Sequence, residues 1–293
     1  MCTFNGAPFL APQLQSILDQ DHTDWRLWLS DDHSNDETFG QLENFCTSNS
    51  DRTMTPVKGP KRGAAANFLS LLANPELAGQ WVAFSDQDDI WLPQKLSRAV
   101  AHLKDVRCGV YASRSIHINA AGKELGPSPL INRPLGFGNA LVQNVLAGNT
   151  LVLTPGATDL IRDLSTEAQN VPFHDWWIYL LASGAGLHIF NDPEPSILYR
   201  QHRRNLLGAG DRQMFKRAEM LKNGTYALWM DANLTALEAS KEHLTSEARA
   251  QLNATISWRK ALGRRPTPLD IGLYRQTWKG DRVLQILAAT RRI

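Results

Sequence analysis

Three cysteines in 293 residues, Cys2, Cys46 and Cys108, are too few and too scattered for a disulfide framework or a cysteine-built metal site. That scarcity fits a reducing compartment. Long apolar runs are missing as well. No stretch reaches transmembrane length and no signal peptide is apparent, so the sequence reads as a cytoplasmic protein. Net charge is nearly absent, at +2 for the whole chain, which argues against a bulk partner of either sign, nucleic acid included. No internal repeat or low-complexity segment stands out. What remains is an ordinary globular composition, 43% apolar and 20% charged. The length allows one large α/β domain, or one domain with an appendage.

The chain is organised around residues 81–91, Trp-Val-Ala-Phe-Ser-Asp-Gln-Asp-Asp-Ile-Trp. Residues 81–84 have the length and composition of a buried strand. They run directly into Asp86, Asp88 and Asp89. A strand ending in clustered carboxylates delivers them to its C-terminal edge, where open α/β sheets bind ligands. Three acids this close repel one another, and a divalent cation with oxygen preference would relieve the repulsion. Mg²⁺ in particular is held by one or two carboxylates plus substrate phosphates. A solvated acidic turn capping the helix that starts near Pro93 is the alternative a lone D-x-D leaves open.

Taken in order, residues 1–6 read as the end of a strand turning into a loop at Asn5-Gly6, with the strand itself almost absent. The expectation is a natural start further upstream or a misassigned start codon. Leu10, Leu14, Ile17 and Leu18 recur at helical spacing and predict a helix over 7–20. A second apolar run, 25–29, ends in Ser30-Asp31-Asp32-His33-Ser34-Asn35-Asp36-Glu37, so a strand again delivers acids at its C-terminal end. Ser34 or Asp36 is placed to cap a helix near 36–49. Residues 54–57 read as a third strand. The basic loop Lys58-Gly59-Pro60-Lys61-Arg62-Gly63 then feeds a helix over 64–72. Backbone N–H groups at that helix start, helped by Lys61 or Arg62, would meet a phosphate; an exposed basic turn is the equal alternative. This strand–helix alternation argues for a doubly wound α/β domain with a largely parallel sheet.

Further on, the pattern predicts a helix at 93–104, a strand at 108–113, a loop-rich stretch at 114–138 and a short helix at 139–146. It continues with a strand at 148–154, a helix at 155–164, and an apolar helix opened by Phe173-His174-Asp175-Trp176-Trp177. A strand at 187–190 and an extended segment at 193–199 lead into Arg200-Gln201-His202-Arg203-Arg204-Asn205. From about 211 the character changes: Phe215, Met220, Leu221, Leu228, Leu234 and Leu237 suggest two or three amphipathic helices. The domain division expected is therefore 1–210 and 211–293. Residues 259–293 carry nine Lys and Arg against Asp270 and Asp281. Trp258, Leu262, Leu269, Ile271, Leu273, Trp278, Val283, Leu284, Ile286 and Leu287 interleave with that excess. A basic amphipathic segment of this kind suits the membrane interface, with packing on the catalytic domain or on a second subunit as the even alternative.

These points, in this order, resemble an inverting glycosyltransferase of family 2 with a GT-A fold, rhamnosyltransferase-like within that family. The resemblance rests on Thr3-Phe4-Asn5-Gly6, residues 14–18, residues 30–36, Gly63 with Asn67-Phe68, and residues 84–91 with Lys95-Leu96. It continues through Gly148-Asn149-Thr150, His174-Asp175-Trp176-Trp177 and Tyr199-Arg200-Gln201-His202 with Asn205, and covers roughly residues 1–208. It implies a nucleotide-sugar donor, a divalent cation (Mg²⁺ or Mn²⁺), and a saccharide or lipid-linked saccharide acceptor of cell-surface polysaccharide synthesis. Carried over, Thr3 and Asn5 would line the nucleotide pocket. Asp31 would accept a pyrimidine N–H, with Asp32 close by. Asp86 would sit near the ribose or the metal, Asp88 would ligate the metal, and Asp175 would be the general base. Asp31 and Asp32 read alternatively as turn caps, Asp175 with His174 as a helix N-cap, and residues 199–202 as structural packing.

Chemically the scheme is coherent. A leaving diphosphate needs its developing charge neutralised, and the acceptor hydroxyl needs a base within hydrogen-bond reach. Displacement with a single base on the opposite face of the sugar inverts the anomeric centre. Trp176 and Trp177 would offer aromatic faces to the sugar and desolvate Asp175. A metal-dependent nucleotidyltransferase, or a non-catalytic nucleotide-sugar-binding module, are the alternatives.

Overall fold

A computed structural model describes residues 1–168, 170–202, 219–220 and 223–293. Its first part is the expected strand–helix alternation: β1 (Cys2–Thr3), α1 (Ala7–Leu18), β2 (Leu27–Asp31), α2 (Thr38–Ser48), β3 (Met54–Lys58) and α3 (Ala64–Leu72). The three strands are parallel in the order β1–β2–β3, with Thr3 beside Asp31 and Asp31 beside Lys58. β2 is apolar on both faces because both are covered, as parallel strands require. On one face Leu10, Leu14 and Ile17 of α1 and Leu42 of α2 pack with Leu27 and Leu29. On the other, α3 presents Phe68, Leu69 and Leu72 to the main core. β1 has two residues, and the Met1 amino group donates to the Trp28 carbonyl at 2.7 Å.

A second, six-stranded sheet follows, beginning with β4 (Val82–Ala83), β5 (Ile90–Trp91), α4 (Lys95–Leu103), β6 (Gly109–Asn119), β7 (Glu124–Pro127) and α5 (Phe137–Ala140). Then come β8 (Val152–Leu153), α6 (Pro155–Asp163), α7 (His174–Gly184) and β9 (His188–Gln201). Here the order is β4–β8–β6–β9–β5, with β7 on β6. The long β6–β9 ladder is parallel, and the pairs β4–β8, β6–β8, β5–β9 and β6–β7 are antiparallel. A bond from the Cys2 N–H to the Ser85 carbonyl, 3.2 Å, sets β1 beside the residues that follow β4. The two acid-bearing strand ends, those of β2 and β4, thereby flank β1.

Two expectations fail for identifiable reasons. The stretch 114–138 is loop-rich only from Ser128 on, because β6 runs to Asn119 and turns back into β7. Its second half alternates polar and apolar residues and is held by β9, whose Pro195 sits at a register shift opposite Arg114. Prolines are tolerated in a sheet at such irregularities. The expected strand at 148–154 is a tight turn, Gly148–Thr150, followed by a two-residue strand.

Three helices complete the described chain: α8 (Thr225–Ala239), α9 (Ser246–Lys260) and α10 (Trp278–Ala289). Thr245 and Thr277 cap the last two, accepting from the N–H groups of Ala248 and Gly280. These helices do not stand apart from the preceding α/β elements. Trp258, Leu273, Leu284 and Leu287 lie in the same core as Trp176 and Trp177. Arg133 on the 133–143 segment bonds Asp281 at 2.7 Å, and Gln276 donates its N–H to Gln143 at 2.8 Å. The tail is thus half buried, leaving Leu262, Leu269, Trp278, Val283 and Ile286 exposed. The boundary at 210/211, together with Asn205, Phe215 and Leu221, lies outside the described residues. Among the described residues no helix is long and apolar enough to cross a membrane.

Candidate active site

The ends of β1 and β2 are tied by one carboxylate. Thr3 Oγ1 donates to Asp31 Oδ1 at 2.9 Å, and the Ser34 hydroxyl and N–H donate to the same carboxylate at 2.5 and 2.8 Å. Asn5, in the left-handed region at φ 50°, accepts the Asn35 N–H at 2.9 Å and donates its own N–H to Ser34 at 2.8 Å. Both turns are set by side-chain acceptors, as Asx-type turns are. Asp32 organises the basic loop, taking the Lys61 N–H at 2.5 Å and the Gly63 N–H at 2.7 Å. That loop leaves Lys61 and Arg62 on the surface at the start of α3. Asn67 is buried beneath it and donates to the Ser30 carbonyl at 3.0 Å, joining α3 to β2. Thr3, Asn5, Asp31 and Asp32 are therefore neighbours, as expected. Ser34 and Asp36 do not fill the N-cap of α2; that position is Glu37.

The acidic loop folds over the end of β1. Gln87, between Asp86 and Asp88, pairs with the backbone of Phe4 through both ends of its amide, at 2.8 and 2.9 Å. Asp86 is pushed up to about 7, first by burial and then by the negative charges of Asp88 and Asp175. The base candidate thus lies close enough to the acidic loop for its charge to act on Asp86. Asp88 Oδ2 lies 2.7 Å from His202 Nε2, while the Asp88 carbonyl accepts Arg200 Nε at 2.9 Å. Asp89 has a different task. It is fully buried and accepts from Asn149 Nδ2 at 2.5 Å and from the Arg200 N–H at 3.1 Å. It ties the acidic loop to β9 and to the 148–150 turn. Beneath them lies Lys95, also fully buried, its ammonium on the Asn149 carbonyl at 2.5 Å and over the Trp91 ring at 3.7 Å. Desolvation lowers this lysine to about 7, against the pull of Asp89 and Asp86.

Asp175 occupies the first turn of α7, where the helix N-terminus favours an anion. It accepts the Gly148 N–H at 3.1 Å and the Trp176 N–H at 2.7 Å, and the Asn144 side chain adds a further bond. Burial outweighs these bonds and raises Asp175 to about 6. His174 does not act as a cap. Its ring stacks between Phe68 and Phe84, with centroids at 4.0 and 5.5 Å, and burial holds it neutral, down at about 3. The two tryptophans depart from the expectation. Trp176 is 3% exposed, with its indole N–H on the Ala140 carbonyl, and Trp177 is fully buried. They anchor α7 in the core and offer no face to a sugar.

Residues 199–202 do more than pack. His202 and Arg200 hold the acidic loop, and Asn149 and Lys95 support it from below. The sequence signal for these four is weak because they lie far from 86–89 along the chain or, for Lys95, on the next helix. Gly148 is required where it stands: a Cβ there would come 2.7 Å from His174 Nε2 and 3.2 Å from the Asp175 Cβ. Gly148→Ala is expected to lower stability by about 1–3 kcal/mol, the usual cost of overpacking. Turnover should fall while donor affinity is retained, which thermal unfolding and steady-state kinetics would read separately.

The residues present suit a divalent cation. Three carboxylates of one sign sit together, and an imidazole nitrogen reaches the central one. Among the described residues no group of three or more His, Cys, Asp or Glu is spaced as a ready-made cage. A cation there would take Asp88 and His202, with Asp86 near, and fill its remaining positions from a diphosphate. A cavity of about 490 Å³ lies between α8, α9 and the chain end, away from these acids. Chemistry rather than cavity size locates the site.

Comparison with known proteins points the same way. The family described as Glycosyl transferase family 2 matches residues 1–165. The dTDP-rhamnosyl transferase RfbG of Shigella flexneri is 29% identical over 242 residues, 77% of this chain and 80% of that protein. The UDP-Glc:alpha-D-GlcNAc-diphosphoundecaprenol beta-1,3-glucosyltransferase WfgD of Escherichia coli is 29% identical over 101 residues, 34% and 38% of the two chains. Among solved structures, the mannosyltransferase PcManGT of Pyrobaculum calidifontis, in complex with GDP-Man and Mn²⁺, superposes with a TM-score of 0.53 at 17% identity. The match covers 99% of this chain and 85% of that one. S. aureus TarS 1–349 with UDP-GlcNAc gives 0.55 at 14%, covering 99% and 86%. The architecture is that of GT-A glycosyltransferases.

Proposed function

The chain belongs to glycosyl transferase family 2, and we propose that it transfers a sugar from a nucleoside diphosphate to a saccharide hydroxyl with inversion, Asp175 serving as the base. The observation that carries the reading is Asp175 itself. It is raised to about 6, is held by three hydrogen bonds, and its negative charge helps raise Asp86 of the acidic loop. A base of that strength is ionised at neutral pH yet able to take a proton. The acceptor oxygen attacks the anomeric carbon as its proton passes to Asp175. The bond from that carbon to the phosphate oxygen breaks, and the nucleoside diphosphate leaves with the electron pair. Thr3, Asn5 and Asp31 line the nucleotide pocket. Asp31 Oδ2, bonded by the Ser34 N–H, keeps a lone pair for a pyrimidine N–H. Asp32 shapes the loop from which Arg62 reaches the phosphates. A divalent cation, held by Asp88 and His202 with Asp86 near, would neutralise charge on the leaving diphosphate.

The similarity to the rhamnosyl transferase over most of both chains makes dTDP-rhamnose the first donor to test. A lipid-linked saccharide is the acceptor class we favour, by analogy with the diphosphoundecaprenol-linked acceptor in the name of WfgD. Such an acceptor would bring residues 259–293 to a membrane surface. A thermal-shift panel of dTDP-, UDP- and GDP-sugars, with and without Mn²⁺ or Mg²⁺, tests the donor. Ligand at 100 times its Kd stabilises by about 2.7 kcal/mol, a shift of several degrees. A dTDP-sugar should give the largest shift, and metal should enlarge it. If no nucleotide sugar shifts the transition under any metal condition, the reading fails. Release of pyrophosphate instead of a nucleoside diphosphate would move the chain to the nucleotidyltransferases.

A further inference from the structure

α10 divides its residues sharply between two faces. Leu284, Leu287 and Ala288 are buried in the core, and Asp281 turns inward to Arg133 and to the Arg275 N–H, at 2.7 and 2.6 Å. The opposite face carries Trp278, 70% exposed, Lys279, Arg282, Val283 and Ile286, 62% exposed. Positions 279, 282, 283 and 286 follow helical spacing, so they form one stripe. Arg291 follows the helix end in the left-handed region at φ 54°, so the chain turns away from the stripe there. Leu262, 88% exposed, is drawn beside the helix end because the Arg291 guanidinium donates to the carbonyls of Ala261 and Leu262. Apart from the inward-turned Asp281, α10 itself carries no Asp or Glu.

We propose that this outer face of α10, together with Leu262, docks on the surface of an anionic lipid bilayer. Its purpose, though not its existence, rests on the reading of the acceptor as lipid-linked. An interfacial helix needs apolar side chains at the headgroup level flanked by cations, and a tryptophan suits that depth. The observed face has both. A second copy of this chain is a poor occupant. A two-fold interface on this stripe would set Lys279 and Arg282 against the same residues, with no acid of the stripe between them. A neutral bilayer offers nothing to these two cations.

The face is also well placed. Gln276, two residues before α10, is bonded to Gln143, and the next residue, Asn144, holds Asp175. The anchor of the docking helix on the domain is therefore one residue from a partner of the base. An acceptor whose lipid lies in the bilayer would have its saccharide presented to an enzyme fixed by this short connection.

Vesicle co-sedimentation of the full chain tests this, using phosphatidylcholine vesicles with and without phosphatidylglycerol. The wild type is expected to pellet with the anionic vesicles alone and to be released by high salt. Removing one cation near such a surface weakens partitioning roughly fivefold. Lys279→Ala with Arg282→Ala should therefore weaken it roughly thirty-fold, and Trp278→Ser with Ile286→Glu should abolish it. All four positions are exposed, and an unchanged nucleotide-sugar thermal shift would verify that each variant is folded. Equal sedimentation with both lipids, no sedimentation with either, or indifference to both variants would overturn the proposal. So would a dimer, seen by light scattering, that the same substitutions dissociate. If vesicle binding fails while the donor shift persists, the docking face is wrong and the transferase reading stands. If vesicles bind but no donor shifts the transition, the docking face stands and the transferase reading falls.

Discussion

Asp88→Asn is expected to reduce transfer by about 10²-fold or more and to erase the metal-dependent part of nucleotide binding, with no loss of fold. Charge stabilisation of a leaving group by a cation supplies several kcal/mol to such a reaction. Asp88 is the central carboxylate of the loop and the one His202 touches. The substitution keeps the shape and a hydrogen-bond partner for His202 but removes one negative charge. Asp88 is the larger of the two charges that raise Asp86, so its loss should let Asp86 fall back toward its ordinary value. The acidic loop should then be no less stable than before. Calorimetric titration with Mn²⁺ and nucleoside diphosphate, beside activity and thermal unfolding, reads each part separately. Wild-type activity in the mutant, or unaltered metal dependence, would remove Asp88 from the site.

Asp175→Asn should lower kcat by roughly 10²-fold or more, as expected when a general base is lost, with donor affinity preserved. The pH profile carries a sharper statement. Asp175 is raised from 3.8 to about 6 by burial. Wild-type kcat/KM should climb as pH rises through about 6, where the carboxylate becomes ionised, and the mutant should lack that limb. Stability runs the opposite way. A carboxyl whose folded pKa lies above its unfolded one binds more protons in the folded state, so stability falls as pH rises from about 4 to about 6. Above that range the wild type bears the full penalty and the asparagine variant does not. The variant should therefore melt no lower than the wild type at pH 8. Collapse of donor affinity would make Asp175 a binding or structural residue and require another base.

The acids most legible in the sequence are those at strand ends. Asp31, Asp32, Asp86 and Asp88 follow short apolar runs, and a strand flanked by helices in a doubly wound sheet has one place for such residues. Asp175 is legible through its position at the start of an apolar helix. The supporting shell stands out only as motif residues of the family resemblance, and its roles cannot be read from spacing. Asn149 sits in a stretch that reads as strand and folds as a turn. Lys95 reads as the first charged residue of an ordinary amphipathic helix, yet it is fully buried on the Asn149 carbonyl. His202 lies 114 residues from its partner. No spacing rule connects positions brought together only by β9 crossing behind the acidic loop.

Trp176 and Trp177 show the opposite error. Aromatic residues beside a candidate base suggest a sugar platform, but a helical turn sends adjacent side chains about 100° apart, and both of these point into the core. Composition and periodicity were enough to set the α/β class, the parallel pairing of the first part, the acids at its edge and the basic excess of the tail. Those properties follow from local pattern, and local pattern is written along the chain. Tertiary structure alone decided that Asp89 is the acid fully buried between Asn149 and β9. It also decided that half of the tail belongs to the core while Trp278, Ile286 and their neighbouring cations face outward. Both outcomes depend on burial, and burial is fixed by what packs against a residue from elsewhere in the chain.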